Sequence, residues 1–308
     1  MTLQRRQSRA LVAANGELAQ ANAFLESISS KLSRYLSPQI YQSIFSGQKD
    51  VVVHTERKKL TIFFSDLKDF TATTERLQPE ELTRLLNEYF TEMSAIALKH
   101  GGTIDKFVGD AMLIFFGDPE SKGIAEDAKA CVRMALEMQQ RLAELNIKWR
   151  SEGIEKPFRA RMGINTGYCD VGNFGSTWRM DYTIIGDEAN LAARLQAIAD
   201  VASVVISYET YALVQDVVAA HALPPVALKG IGREVVPYVI EGLVHPEGGE
   251  LTVVTEQSAG LTLYLDASKI DDQARRRLQP ILEAALVMLR VPQSVPTGYH
   301  QGSSGKYA

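Results

Sequence analysis

The sequence predicts an α+β fold, a sheet with helices laid on one face, because short apolar strands interleave with long amphipathic helices between about residues 57 and 243. A second observation concerns the ends of those strands, which run into short polar turns rather than into long loops. A third is a seven-residue apolar repeat ahead of this region, which predicts an N-terminal coiled-coil helix.

The elements follow in chain order. Residues from about 8 to 36 read as helix, with Leu11, Leu18, Leu25 and Leu32 spaced seven apart and Ala14, Ala21, Ile28 and Tyr35 three positions after each. That two-position seam suits a parallel coiled coil, although Gly16 weakens the helix and an amphipathic helix packed on its own domain has a similar pattern. Ser37-Pro38 ends the segment, since the residue before proline is pushed out of the helical region. Leu60 to Phe64 reads as a buried strand followed by the polar turn SDLKDFT. Pro79 opens a helix with Leu82, Leu85, Leu86, Tyr89, Met93 and Ile96 on one face, closed by His100-Gly101-Gly102. A hairpin follows: TIDKF, a tight turn at Val108-Gly109-Asp110, and AMLIFF. Ala125 to Leu145 is a second long amphipathic helix, ARMGIN and YCDVGN are short strands, and YTIIG leads into the helix DEANLAARLQAIA. SVVIS and the stretch from Val226 to Ile240 add two or three strands. Beyond Gly242 the pattern fades to one strand, LTLYLDAS, and one helix, Ala274 to Leu289. The domain reading is an N-terminal helix and linker over 1–50, a principal domain over 57–243, a small extension over 244–290 and a disordered tail over 291–308.

With 45% hydrophobic and 23% charged residues the chain has the composition of a globular protein, and its net charge of -4 argues against a general nucleic-acid binder. An anionic ligand therefore needs a local site. Cys131 and Cys169 form neither a metal-ligand spacing nor a disulfide framework, which points to a reducing cytoplasm. No apolar run reaches the roughly 18 residues that span a bilayer. The N-terminus lacks the apolar core of a secretion signal, so a cytosolic location is expected.

Two aspartates stand at strand ends: Asp66 directly after the first strand and Asp110 in the hairpin turn. Carboxylates so placed can hold a pair of hard divalent cations, which take oxygen ligands and suit phosphate chemistry. Aspartate also occupies turns merely because it satisfies local backbone groups, so either residue alone has an ordinary explanation. After Asp66, the segment Leu67-Lys68-Asp69-Phe70-Thr71 runs from strand toward helix, where successive N–H groups can hold phosphate oxygens. Gly109 would let the backbone turn sharply beside Asp110. Asn190 and Arg194, four apart, share one face of a helix whose Leu191 and Leu195 point to the core. Such a pair is often only solvated surface.

Together FFSDLKDFT, GGTIDKFVGDAMLIFFG, INTGYCDVGNFG and DYTIIGDEANLAARL, in that order, resemble the catalytic domain of class III adenylyl cyclases over about residues 57 to 243. The resemblance implies a ferredoxin-like core related to the palm of polymerases, with two protomers packed head to tail around shared sites. It implies that Asp66 and Asp110 bind two divalent cations, Mg2+ or Mn2+, with Leu67 offering a backbone carbonyl. Lys106 matches the lysine that selects adenine and Thr183 the second base-selecting position. There the commonest residue is Asp, and Thr is similar to a subgroup of bacterial and soluble cyclases. Asn190 matches the asparagine that orients the ribose, Arg194 the arginine that stabilises charge on the reacting phosphate, and Lys229 lies near the family's triphosphate-binding lysine. ATP is the implied substrate, a homodimer the implied assembly, and the 3',5'-cyclic nucleotide with pyrophosphate the implied products. A guanylyl cyclase and a non-catalytic nucleotide-binding module are the alternatives. No histidine falls inside a motif, which leaves the proton acceptor open. A coiled coil beginning so near Met1 is what a piece cut from a longer receptor, with a sensor domain upstream, would show.

Overall fold

The structure is a computed structural model that describes residues 2–33, 35–47, 52–244, 251–258 and 261–290. The N-terminal helix α1 (Thr2–Leu32) precedes α2 (Pro38–Phe45), whose first turn is capped by the Ser37 side chain and opened by Pro38. Then come β1 (Thr55–Leu67), α3 (Phe70–Thr74), α4 (Pro79–His100), β2 (Thr103–Val108), β3 (Ala111–Phe116), α5 (Ile124–Ser151), β4 (Ala160–Gly175), β5 (Met180–Ile185) and α6 (Asp187–Ile198). Short elements follow: β6 (Val204–Ile206), α7 (Tyr208–Val214), β7 (Val218–Ala222), β8 (Val226–Ala227), β9 (Glu234–Val235), β10 (Tyr238–Val244), β11 (Leu251–Ser258) and β12 (Leu261–Asp266). The described residues up to Leu265 form one compact unit, and those from Asp266 onward, chiefly α8 (Asp272–Arg290), form a second.

Strands β4, β1, β3 and β2 lie side by side in that order, every pair antiparallel. With α4 and α5 as crossovers this is the βαββαβ pattern of the ferredoxin-like fold. Beyond β4 the sheet continues through a parallel pairing with β6, then β10, β11 and β12, while β5 folds back on β4 and β7 on β10. β8 and β9 make a separate two-stranded ribbon.

Helices cover both faces of the core sheet, not one. Leu85, Tyr89 and Met93 of α4 pack with buried residues of α5 against Phe63, Met112, Ile114, Met162 and Ile164. On the other face Ala192 of α6 meets Leu60, Ile62, Phe115, Cys169 and Val171. The run Leu60 to Phe63 is buried throughout because alternate side chains enter opposite layers. Gly163 of β4 is what brings α6 so near, since a Cβ there would lie 2.3 Å from the Ala192 carbonyl oxygen and 2.3 Å from the Gln196 nitrogen.

The α4 face anticipated from its spacing is the buried one, and Gly101, at φ +86, closes the helix. Helix α5 runs past the anticipated Leu145 to Ser151, because Trp149 is fully buried and donates Nε1–H to Glu88 Oε2 at 2.9 Å. In α1 the seam residues Leu18, Leu25 and Leu32 are exposed, Tyr35 lies beyond the helix end, and the Leu11 side chain is outside the described set. β11, which the fading pattern beyond Gly242 did not suggest, pairs with β10. The segment 291–308, read above as a disordered tail, lies outside the described residues.

Candidate active site

The centre of the site is built by adjacent strands. Asp66 is the penultimate residue of β1, and β1 pairs with β3, so the turn between β2 and β3 sits beside it. That turn has two residues, Gly109 and Asp110, between the paired Val108 and Ala111, and Gly109 takes the left-handed φ of +65 that a tight hairpin requires. Asp110 Oδ2 accepts the Leu67 N–H at 3.1 Å. The Asp110 carboxyl is pushed up to about 6, chiefly by burial and then by the Asp66 carboxyl, which lies within hydrogen-bonding reach. Two acids are thus held together, and burial and the neighbouring Asp66 carboxyl both disfavour the charged form of Asp110.

Two residues not anticipated from sequence complete this centre. Arg161, the cross-strand partner of Asp66 on β4, donates from Nη2 to Asp66 Oδ2 at 2.7 Å and from Nη1 to the Ala197 carbonyl at 3.2 Å. Gln196 of α6 places Nε2 3.4 Å from the same Asp66 oxygen. Arg161 supplies a fixed positive charge beside the acids and ties them to the C-terminal end of α6. The available signal was residue type: Arg161 is the second residue of the strand motif ARMGIN, and a guanidinium suits carboxylate and phosphate partners.

The polar turn after Asp66 is constrained. The Lys68 N–H donates to the Arg159 carbonyl at 2.7 Å, and Asp69 adopts a left-handed φ of 58 with its carboxylate 3.2 Å from Arg159 Nη2. Phe70 is half-buried, with its ring centroid 6.0 Å from that of Phe158, and Thr71 is exposed at the start of the single-turn α3.

Lys106 and Thr183 are joined through a third residue. A bulge in β2 between Ile104 and Lys106 sets Asp105 out of the regular pairing, with its side chain only 1% exposed. Thr183 donates its hydroxyl to Asp105 Oδ2 at 2.6 Å, the Ile184 N–H reaches the same oxygen at 3.3 Å, and Lys106 Nζ lies 3.3 Å from Oδ1. Burial holds the Asp105 carboxyl above the usual carboxylate range against the pull of Thr183 and Lys106.

Asn190 and Arg194 are exposed on α6, while Leu191 and Leu195 are buried as the spacing required. Lys229 is exposed in the connection between β8 and β9. Among the described residues none of these three contacts Asp66, Asp110, Lys106 or Thr183 through a hydrogen bond or ion pair. One chain therefore assembles the paired acids and, separately, the Lys106–Thr183 pair, and leaves an asparagine and an arginine turned to solvent.

Among the described residues no group of three or more His, Cys, Asp or Glu side chains is placed to hold a metal ion. Two carboxylates with a main-chain carbonyl nearby are nonetheless hard oxygen donors, and their mutual repulsion is what a bound divalent cation relieves. Magnesium in particular is commonly held by one or two carboxylates plus substrate phosphates. The residues present fit such an ion. No helix of the described residues is long and apolar enough to cross a membrane.

Comparison with known proteins places the chain among nucleotide cyclase domains. A family described as the adenylate and guanylate cyclase catalytic domain matches residues 52–242. The solved adenylyl cyclase CyaB of P. aeruginosa is 53% identical, with a TM-score of 0.60, over 61% of this chain and 96% of that one. The solved guanylyl cyclase Cya2 is 36% identical, with a TM-score of 0.57, over 64% of this chain and 98% of that one. Adenylate cyclase 1 of Rhizobium meliloti is 34% identical over 191 residues, which is 61% of this chain and 28% of the relative's length. This chain thus spans less than a third of that curated relative.

Proposed function

Because this chain belongs to the adenylate and guanylate cyclase catalytic-domain family, we propose that it converts ATP into 3',5'-cyclic AMP and pyrophosphate at a site completed by a second copy of itself. The observation that carries this reading is the Asp66–Asp110 pair, two acids from adjacent strand ends held within hydrogen-bonding reach beside Arg161.

In the reaction the ribose 3'-oxygen bonds to the α-phosphorus, the bond from that phosphorus to the bridging oxygen breaks, pyrophosphate departs and the hydroxyl proton is released. Asp66, Asp110 and the Leu67 carbonyl would hold divalent cations, Mg2+ or Mn2+, whose chemistry when bound is Lewis acidity toward phosphate and hydroxyl oxygens. Backbone N–H groups of Phe70 and Thr71 bind phosphate oxygens, and Lys229 adds charge toward the triphosphate. Arg161 balances Asp66 so that the acids are not left as an uncompensated pair.

Base and ribose are read elsewhere. Lys106 donates to a ring nitrogen, the Thr183 hydroxyl oxygen accepts from the exocyclic amine of adenine, and Asn190 orients the ribose. Arg194 faces the charge that grows on the α-phosphate, where a fixed donor is worth roughly 3 to 4 kcal/mol. The solvent exposure of Asn190 and Arg194 supports a role toward a partner chain rather than toward their own acids. The exposed seam of α1 is suited to hold two chains in parallel, and so to pass on a signal from an upstream sensor domain. A guanylyl cyclase would need donors where Thr183 offers an acceptor, so the Lys106–Thr183 pair favours ATP.

The test is product analysis on purified protein with Mg2+ or Mn2+. Wild type should release cyclic nucleotide and pyrophosphate in equal amounts, whereas Asp66→Asn and Asp110→Asn should fold and release neither. Full turnover by either variant would remove the acids from the site.

A further inference from the structure

A threonine is an ambiguous reader of a base, because its hydroxyl either donates or accepts and rotates to suit. Adenine offers an amine donor where guanine offers an oxo acceptor, so Thr183 left to itself would accept either. Thr183 is not left to itself. Its one proton is donated to Asp105 Oδ2 at 2.6 Å, a charge-assisted bond stronger than a neutral partner could offer. With Thr183 itself buried, what remains of its hydroxyl for a ligand is lone pairs alone.

We propose that Asp105 is a positioning residue that fixes the hydrogen-bond polarity of Thr183 and so sets the preference for an aminopurine over an oxopurine nucleotide. The inference rests on the proposed reading of Lys106 and Thr183 as base-facing residues, and it deepens that reading by assigning the cause of discrimination to a residue that never touches the base. The arrangement is specific. The β2 bulge turns Asp105 out of the ladder so that one carboxylate reaches Thr183 and the Ile184 N–H together, both on β5. Its other oxygen lies 3.3 Å from Lys106 Nζ, which anchors the ammonium while leaving its remaining protons free to donate. One buried acid thereby makes its neighbours a donor and an acceptor of fixed sense. An oxopurine would then set its oxygen against the Thr183 lone pairs, and buried like-polar groups reject a ligand more strongly than a missing contact does.

A purely structural role, clipping β2 to β5, predicts something different. Both bonds end on one Asp105 oxygen, so Asp105→Asn keeps the shape but offers there either a neutral, weaker acceptor or an amide donor, and in both cases the threonine proton is freed to turn toward the ligand. In kcat/KM assays with ATP and GTP, the proposal expects the ATP:GTP ratio of Asp105→Asn to fall by at least about tenfold, with GTP use rising in absolute terms. In a Thr183→Val background the same change should leave the ratio unmoved. A clip alone would lower both substrates together and keep the ratio, which would overturn the proposal. Lys106→Gln and Thr183→Val are measured alongside. If neither alters the ratio, the base-reading assignment itself is wrong, whereas if both do and Asp105→Asn does not, only the role of Asp105 is wrong. Should Asp105→Asn fail to fold, Asp105→Ser carries the same expectation. Failure of both neutral variants to fold would make Asp105 a structural staple and end the proposal.

Discussion

Replacing Gly163 with alanine tests how tightly the site depends on the seating of α6. The added methyl would stand 2.3 Å from the Ala192 carbonyl oxygen, 2.3 Å from the Gln196 nitrogen and 2.9 Å from the Gln196 Cα. These are backbone atoms, so no side-chain rotation relieves the clash, and recovering ordinary contact requires α6 to withdraw by about 1 Å. Overpacking of this kind costs about 1 to 3 kcal/mol, which for a domain of this size lowers the melting temperature by roughly 2 to 12 °C. The functional cost should be larger. Helix α6 carries Asn190, Arg194 and the Gln196 contact to Asp66, and a displacement of about 1 Å in a reacting group can cost on the order of a hundredfold in rate. Thermal melting together with kcat measured well below the transition separates the two effects. A Gly163→Ala protein that melts with wild type and turns over at the wild-type rate would refute the claim that α6 is seated through this glycine.

Three further outcomes are expected. Arg194→Ala should lower kcat by about a hundredfold to a thousandfold with little change in KM, as steady-state kinetics would register, because in the proposed mechanism its donor faces charge that develops only in the transition state. Chains carrying Asp66→Ala mixed with chains carrying Asn190→Ala should regain activity that neither shows alone, and mixed dimers that form yet stay inactive would dispose of the shared site. Glu88→Gln should destabilise the protein by about 1 to 2 kcal/mol near neutral pH, because the carboxylate accepts from Lys148 Nζ and from the buried Trp149 Nε1. Those partners, Lys148 first, hold the Glu88 carboxyl below its ordinary range. Its contribution is therefore present above the unfolded carboxylate pKa and lost as the pH falls through the folded one, so melting curves of variant and wild type should converge in acid.

What was legible in the sequence was whatever local spacing encodes. The face of α4 follows from apolar residues recurring every three to four positions, and the strand-end acids stand out because Asp66 ends an apolar run and Asp110 follows the glycine of a two-residue turn. What was not legible depends on pairing across distance. Arg161 reaches Asp66 only because β4 runs antiparallel beside β1, and Gln196 arrives from a helix on the far side of a glycine gap. Asp105 reads as one more polar strand residue until the β2 bulge and the fold-back of β5 bring Thr183 to it. The burial of the sheet on both faces was hidden for a similar reason. A largely apolar run such as Leu60 to Phe64, broken only by Thr61, announces two covered faces only once a second layer is known to exist.

The central claim is that a pair of acids and an adenine-reading pair together make an ATP cyclase, and one measurement reaches it directly. Purified protein supplied with equal ATP and GTP in competition, with Mg2+ and then with Mn2+, should form cyclic AMP well in excess of cyclic GMP, with pyrophosphate released in step. Cyclic GMP as the main product, or binding of both nucleotides with no cyclisation of either, would contradict it.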